Sequence, residues 1–159
     1  MKAELTYQEA QELQQGIASF DSHLNGVLAD KERRGLLKDS EVNGIFSINA
    51  KNLKKTVALM KELEELKSEI RLRFCEMDEA TGKPKQFKEF QADQTGNKQE
   101  YWTAKVTDAK SAAMFDAEMR AFNKMKHEIE LHQFKYDRIK NIEINGVILS
   151  ILMDTIITD

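Results

Sequence analysis

Apolar positions recur with a helical period over two long stretches, residues 41–77 and 108–127. In the first, Leu53, Val57, Met60, Leu63, Leu66, Ile70 and Phe74 step by threes and fours, and Val42, Ile45 and Phe46 lead into them. In the second, Phe115, Met119, Phe122, Met125 and Ile129 do the same. At 3.6 residues per turn this spacing lines one side of a helix with apolar groups, and each stripe needs a partner. The two can serve each other, which predicts a long antiparallel helical hairpin with coiled-coil-like packing. Ser40 offers an N-cap for the first helix, with Glu41 well placed in its first turn. Gly44 and Asn49 are its weak points, each up to ~1 kcal/mol less favourable than alanine.

The flanking segments predict smaller elements. Thr6-Tyr7-Gln8-Glu9 has the form of a capping box, so a short N-terminal helix should run to about Ser19, docking through Ala10, Leu13, Ile17 and Phe20. Asn25-Gly26 marks a turn, and residues 21–39, with their apolar pairs Val27-Leu28 and Leu36-Leu37, read as that turn plus an irregular or briefly extended segment. Between the long helices, Thr81-Gly82-Lys83-Pro84 and Thr95-Gly96-Asn97 punctuate two β-favouring stretches, residues 85–91 and 99–106. Turn, strand, turn, strand makes residues 78–107 a protruding β-hairpin insert, which alone is marginal and must lean on the helix ends or move.

Beyond the second helix, residues 128–132 alternate apolar and polar, and Phe134 and Tyr136 continue on the opposite parity, which predicts an extended stretch with a bulge or bend. Asn145-Gly146 is both a hairpin-turn signal and a good helix start. The spacing of Ile148, Ile151, Leu152 and Ile156 does not alternate and favours a short C-terminal helix. The expected fold is mainly α with minor β in a single domain, residues 1–159. It comprises the long antiparallel helical hairpin, the small β-hairpin insert, a short N-terminal helix and a short C-terminal helix.

Composition narrows the chemistry. Charged residues make up 32% of the chain and there is one proline, as suits long wet helices. A net charge of -3 argues against a general polyanion-binding surface. The single cysteine, Cys75, has no partner for an intramolecular disulfide and suits a small core position. The polar, acidic start lacks the basic and apolar blocks of a signal peptide. No stretch reaches the ~18 apolar residues of a membrane span. A cytoplasmic protein without membrane contact is expected.

Catalytic patterns fail on spacing. His127 and His132 resemble a zinc-protease pair, but they stand five apart where that site needs four on one helical face, and His23 has no ligand cluster beside it. No metal or cofactor is expected. Thr95-Gly96-Asn97-Lys98 lacks the spacing of a phosphate-binding loop. Glu100 and Lys105, with Asp93 upstream, suggest a metal-dependent nuclease until their parity puts them on opposite strand faces. The serines and Cys75 lack a neighbouring base. The chain therefore reads as no enzyme.

Two basic clusters, residues 31–34 with Lys38 and residues 83–88 with Phe87 and Phe90 interleaved, have the composition of a nucleic-acid contact. Glu89, Asp93 and Glu100 around the second weigh against that role. Protein binding is favoured, with Phe87, Phe90, Tyr101 and Trp102 of the insert as the partner-binding residues, because aromatic side chains are enriched at interface anchors. The bland alternative is that Trp102, Phe87 and Phe90 pack together to hold the insert. Met60, Met114, Met119 and Met125 are either intramolecular core or an adaptable surface for homo-oligomers.

The segment 48–53 leading into a long charged helix, the turn-rich insert, the stretch 128–135 and the closing segment 142–149 with a terminal acidic residue occur in one order. In that order the chain resembles a broad group of small bacteriophage and prophage accessory proteins over residues 45–159. The resemblance implies a non-enzymatic factor that binds a host or phage protein, in concrete form an inhibitor of a bacterial defence or nuclease system. It carries over no catalytic residue. A virion structural or assembly factor that homo-oligomerises through its long helices is the alternative, and a nucleic-acid-binding accessory protein the next. Residues 5–39 depart from the pattern and are where this chain would hold a specificity of its own.

Overall fold

The computed structural model describes residues 1–30, 33–36, 38–92, 96–153 and 155–159. Lys31, Leu37, Asp93 and Thr95, which enter the expectations above, lie outside the described residues. The fold is mainly α with minor β. The chain divides into two compact units, residues 1–63 with 124–159, and residues 64–123. No described helix is long and apolar enough to cross a membrane.

The first unit opens with strand β1, Lys2–Leu5, and helix α1, Tyr7–Ala29. The capping box forms as expected: Glu9 N–H donates to Thr6 Oγ1 at 3.3 Å and Thr6 N–H donates to Glu9 Oε2 at 2.8 Å. The helix corrects two expectations, since it passes Ser19 and continues through Asn25-Gly26 to Ala29. Leu24 and Val27 extend the buried stripe of Ala10, Leu13, Ile17 and Phe20. Burying two such side chains is worth several times the ~1 kcal/mol that one glycine costs a helix. After a 3-10 turn at Arg34–Leu36 comes helix α2, Asp39–Phe74. It begins one residue before Ser40, which is thus inside the helix and not its N-cap, and it ends short of Met77. It runs unbroken through Gly44 and Asn49.

The buried stripe of α2 is a further correction. Val42, Ile45 and Leu63 are buried as expected, but the buried positions between them include Asn49, Asn52 and Thr56, while Val57 is 46% exposed. This stripe keeps the three-four step but lies one residue, or ~100°, from the apolar set at Leu53 and Val57. Each of its polar side chains has a specific partner, although the buried Asn49 Oδ1 has none among the described residues. Asn49 Nδ2 donates to Asp21 Oδ1 on α1 at 2.6 Å, and Thr56 Oγ1 donates to Leu53 O at 3.0 Å. Asn52 grips the backbone of His132: its Nδ2 donates to His132 O and its Oδ1 accepts from His132 N–H, both at 2.8 Å.

That grip coincides with the parity shift of the sequence. Strand β4, His127–Glu130, pairs antiparallel with β1, Ala3 opposite Ile129, and Leu131 N–H donates to Met1 O. Ile129, Leu131 and Phe134 are all buried, so the inward parity changes between Leu131 and Phe134, where Asn52 holds the bend. The short strand β5, Phe134–Lys135, then pairs in parallel with β6, Ile157–Thr158. Between them lies helix α4, Gly146–Leu152, capped by Asn145, whose Oδ1 accepts from Val147 N–H at 2.9 Å. Of the two structures open to Asn145-Gly146, the helix forms. The core of this unit joins α1, the start of α2, both small sheets and α4, with Phe20 stacked on Phe134 at 6.1 Å. Gly16 lets α4 approach α1 closely, since a Cβ there would lie 2.8 Å from Ile151 Cγ2.

The second unit holds the last turns of α2, strands β2, Gln86–Ala92, and β3, Lys98–Ala104, and helix α3, Ala109–Lys124, which reaches one residue beyond it. Asp108 caps α3 by accepting from Ser111 N–H at 2.8 Å. The helix stops three residues short of the expected His127, leaving Met125 exposed. Two contacts tie α2 to α3: Phe74 meets Phe115 edge-on at 6.3 Å, and Arg73 pairs with Glu118 at 2.8 Å. Cys75 is buried, its thiol donating to Arg71 O.

Candidate functional site

The hairpin forms where the β-favouring stretches 85–91 and 99–106 place it, with Gln86 opposite Ala104 through to Ala92 opposite Lys98. Its base is set by a tight turn. Asp78 Oδ1 accepts from Ala80 N–H, Thr81 N–H and the Thr81 hydroxyl, and these bonds hold its carboxyl below the usual carboxylate range. Gly82 follows at φ +64°, a left-handed conformation that glycine adopts without a Cβ clash. Glu76 then stitches the base together: its N–H donates to Lys105 O and its carbonyl accepts from Lys85 N–H.

Because neighbouring residues of a strand point to opposite sides, the register sorts the four aromatic candidates into two pairs. Phe90 and Trp102 lie on one face, and Phe87 and Tyr101 on the other. Trp102 and Phe87 therefore cannot both belong to one cluster that holds the insert.

The Phe87 face is an internally satisfied network. The Lys85 ammonium lies 5.4 Å from the Phe87 ring centre and that of Lys105 lies 6.0 Å from it, within cation–π range. Lys85 also pairs with Glu76 at 2.7 Å, and Glu76 accepts from the Thr107 hydroxyl at 2.9 Å. Lys105 pairs with Glu89, which accepts the Tyr101 hydroxyl at 2.6 Å. The Lys105 ammonium and Tyr101 hydroxyl hold the Glu89 carboxyl below its ordinary range, and the same bond raises the Tyr101 hydroxyl.

The opposite face is open. Trp102 is 65% exposed and Phe90 59%. Between them Lys88 pairs with Glu100 at 2.6 Å, its ammonium 5.7 Å from the Phe90 ring centre. Of the two strands only Ala104, at the base, is buried.

The other candidates disperse. Lys85, Lys88 and Lys105 each face a glutamate, so the basic run 83–88 is largely charge-balanced where it meets the hairpin. In the first basic cluster Arg33 lies 3.6 Å from Asp30 and Lys38 3.8 Å from Glu41. His127 sits on β4, His132 follows it with an exposed side chain, and His23 is on α1. Among the described residues no group of three or more His, Cys, Asp or Glu side chains could hold a metal ion. Glu100 and Lys105 do fall on opposite faces of the hairpin, as their parity implied. Met60 packs against the first unit's core, whereas Met114 is exposed. The division of the insert into a satisfied face and an open one was within reach of the sequence, since odd and even positions of the two strands carry it. Comparison with known protein families, curated proteins and solved structures yields no match.

Proposed function

We propose that this chain is a non-enzymatic protein-binding factor whose contact surface is the Phe90–Trp102 face of the insert. The observation that carries this reading is the contrast between the two sides of one hairpin. On the Phe87 side every charged group just described has a partner within the unit. On the Phe90 side two large rings are left to solvent beside the Lys88–Glu100 ion pair and Lys98. Aromatic anchors ringed by polar groups are what protein interfaces concentrate their affinity in. Pairing of Lys85, Lys88 and Lys105 with glutamates weighs against a phosphate backbone as the partner, since such binding draws on uncompensated cations.

In its concrete form the protein is a phage or prophage accessory factor acting in the bacterial cytoplasm. It binds a host protein of a defence or nuclease system and inhibits it by steric occlusion. The support for this form is the resemblance over residues 45–159. In it, α2 and α3 are an antiparallel helical hairpin that carries the insert.

The test is affinity capture from an expressing bacterium with wild type and with the double variant Phe90→Ala, Trp102→Ala. A protein retained by wild type and lost by the folded double variant is the expected result. Equal retention by both removes this face as the contact. Homo-oligomerisation through the helices, as in a virion assembly factor, is favoured by the exposure of Val57, Leu66 and Leu72 on α2. Light scattering on a variant carrying serine at all three positions separates that role: a large assembly that dissociates in this variant establishes it.

A further inference from the structure

The open hairpin face is complementary to itself, and we infer that two copies of the free protein pair through it, hiding each other's Phe90 and Trp102. This rests on the reading of that face as the partner-binding surface and adds a regulation to it.

The geometry follows from the register. Lys88 stands opposite Trp102 and Phe90 opposite Glu100, so the four side chains form a rectangle with aromatics on one diagonal and opposite charges on the other. Its edges are about 5 Å across the strands and about 7 Å along them. A two-fold axis laid in the face along the aromatic diagonal turns the rectangle over onto a second copy. Phe90 then meets the other Phe90 and Trp102 the other Trp102. Lys88 arrives over the other copy's Glu100 and Glu100 over its Lys88. Lys88 and Glu100 each gain an opposite charge and each ring gains a ring, while Lys98, beyond Glu100 on the same face, lies outside the rectangle. A two-fold contact of this kind is closed, so it stops at two copies. The same operation crosses the strands of the two hairpins at about 70°, nearer the orthogonal than the aligned way in which sheets stack. Rotation about either strand-parallel or strand-perpendicular axes puts Lys88 over an aromatic ring and Glu100 over the other, and pairs no charges.

The footprint limits the strength. Seven residues by two strands cover about 220 Å² per copy, far below the roughly 800 Å² per partner of a stable complex. The pair is therefore weak and concentration-dependent, and yields to a partner that covers the face more fully. In this way the aromatic rings are shielded when the protein is abundant and free, and exposed when it is dilute or engaged.

Sedimentation of the purified chain from 10 μM to 1 mM, with the variants Lys88→Glu and Glu100→Lys, tests this without any partner protein. Wild type is expected to shift from monomer to dimer across the range. Each variant alone should remain monomeric, because the two charged corners of the rectangle are then both acidic in one and both basic in the other, and meet like charges on its own copy. Their equimolar mixture should regain the dimer, as the two carboxylates of one variant then meet the two ammonium groups of the other. A charge pair acting only within one hairpin gives no recovery on mixing. A wild type monomeric at 1 mM, or a mixture no more associated than its components, overturns the inference. Neither result bears on whether a different protein binds the face, which the capture experiment decides.

Discussion

Replacing Asn52 by alanine removes a side chain that is fully buried and holds both polar groups of the His132 peptide at 2.8 Å. Two hydrogen bonds of about 1 kcal/mol each are lost, and the His132 N–H and C=O are left to find water in a partly covered bend, at about 1–3 kcal/mol for a group that stays unpaired. The exposed His132 side chain lets some water in, which sets the expected loss at about 2–4 kcal/mol. For a chain of 159 residues that corresponds to a fall in Tm of roughly 5–15 °C.

Asn52→Asp sharpens the test. The carboxylate still accepts from His132 N–H but opposes His132 O, whereas the protonated acid can donate to that carbonyl and accept from that N–H. Burial and the facing carbonyl raise the folded-state pKa of this aspartate above its unfolded value of ~3.9. Its favourable contribution is then present below the unfolded pKa and lost as pH rises through the folded one. Urea unfolding followed by far-ultraviolet circular dichroism should show Asn52→Asp approaching wild type near pH 4 and falling well below it at pH 7, with Asn52→Ala low at both. An alanine variant within 0.5 kcal/mol of wild type would refute the role given to the polar stripe.

Other outcomes follow from single contacts. Gly16→Ala and Gly26→Ala sit in the same helix and gain the same propensity, up to ~1 kcal/mol. A Cβ at Gly26 meets open space while one at Gly16 meets Ile151 Cγ2 at 2.8 Å, so Gly26→Ala should raise Tm and Gly16→Ala lower it, their difference of about 1–3 kcal/mol reading the overpacking directly in chemical denaturation. Thr6→Ala should cost about 1 kcal/mol by loss of the cap on α1. The Glu89 and Glu76 carboxyls are held below their ordinary value of 4.5, so their stabilisation of the hairpin is full above that value and lost as pH falls through the lowered one. The Tyr101 hydroxyl is raised above 10.0, so its contribution holds below that value and is lost as pH rises through the raised one. Fluorescence of Trp102, the chain's one tryptophan, should report both limbs, and Glu89→Gln should weaken each.

Much of this architecture was legible where one physical signal acted alone. The Thr6–Glu9 box, the β-hairpin of the insert and the buried Cys75 each follow from local chemistry with no competing demand, and at Asn145-Gly146 the spacing of the apolar residues that follow separates helix from hairpin. The failures come where tertiary burial overrode a local cue. Asn25-Gly26 is a turn signal in isolation, but Leu24 and Val27 carry the helix through it into the core. On α2 the eye follows Leu53 and Val57, yet Asn49, Asn52 and Thr56 take the inside because Asp21 and the His132 backbone wait there as partners. Asparagine on a buried face carries no apolar mark, so periodicity rotates the stripe by one residue. Strand β1 and the parallel pair of β5 and β6 are two to four residues long and owe their existence to distant partners. At the insert, the four aromatic residues were found, but treating them as one group missed that parity divides them.

The open face is the claim on which the functional reading stands, and site-specific photocrosslinking in the expressing bacterium addresses it most directly. A photoreactive phenylalanine analogue placed at position 90 or 102 should join the chain to one heterologous protein, distinct in mass from the doubled chain, while the same group at Phe87 or at the exposed Ala58 of α2 should not. Crosslinks to that protein from position 87 or 58, with none from 90 or 102, would place the contact elsewhere and contradict the assignment.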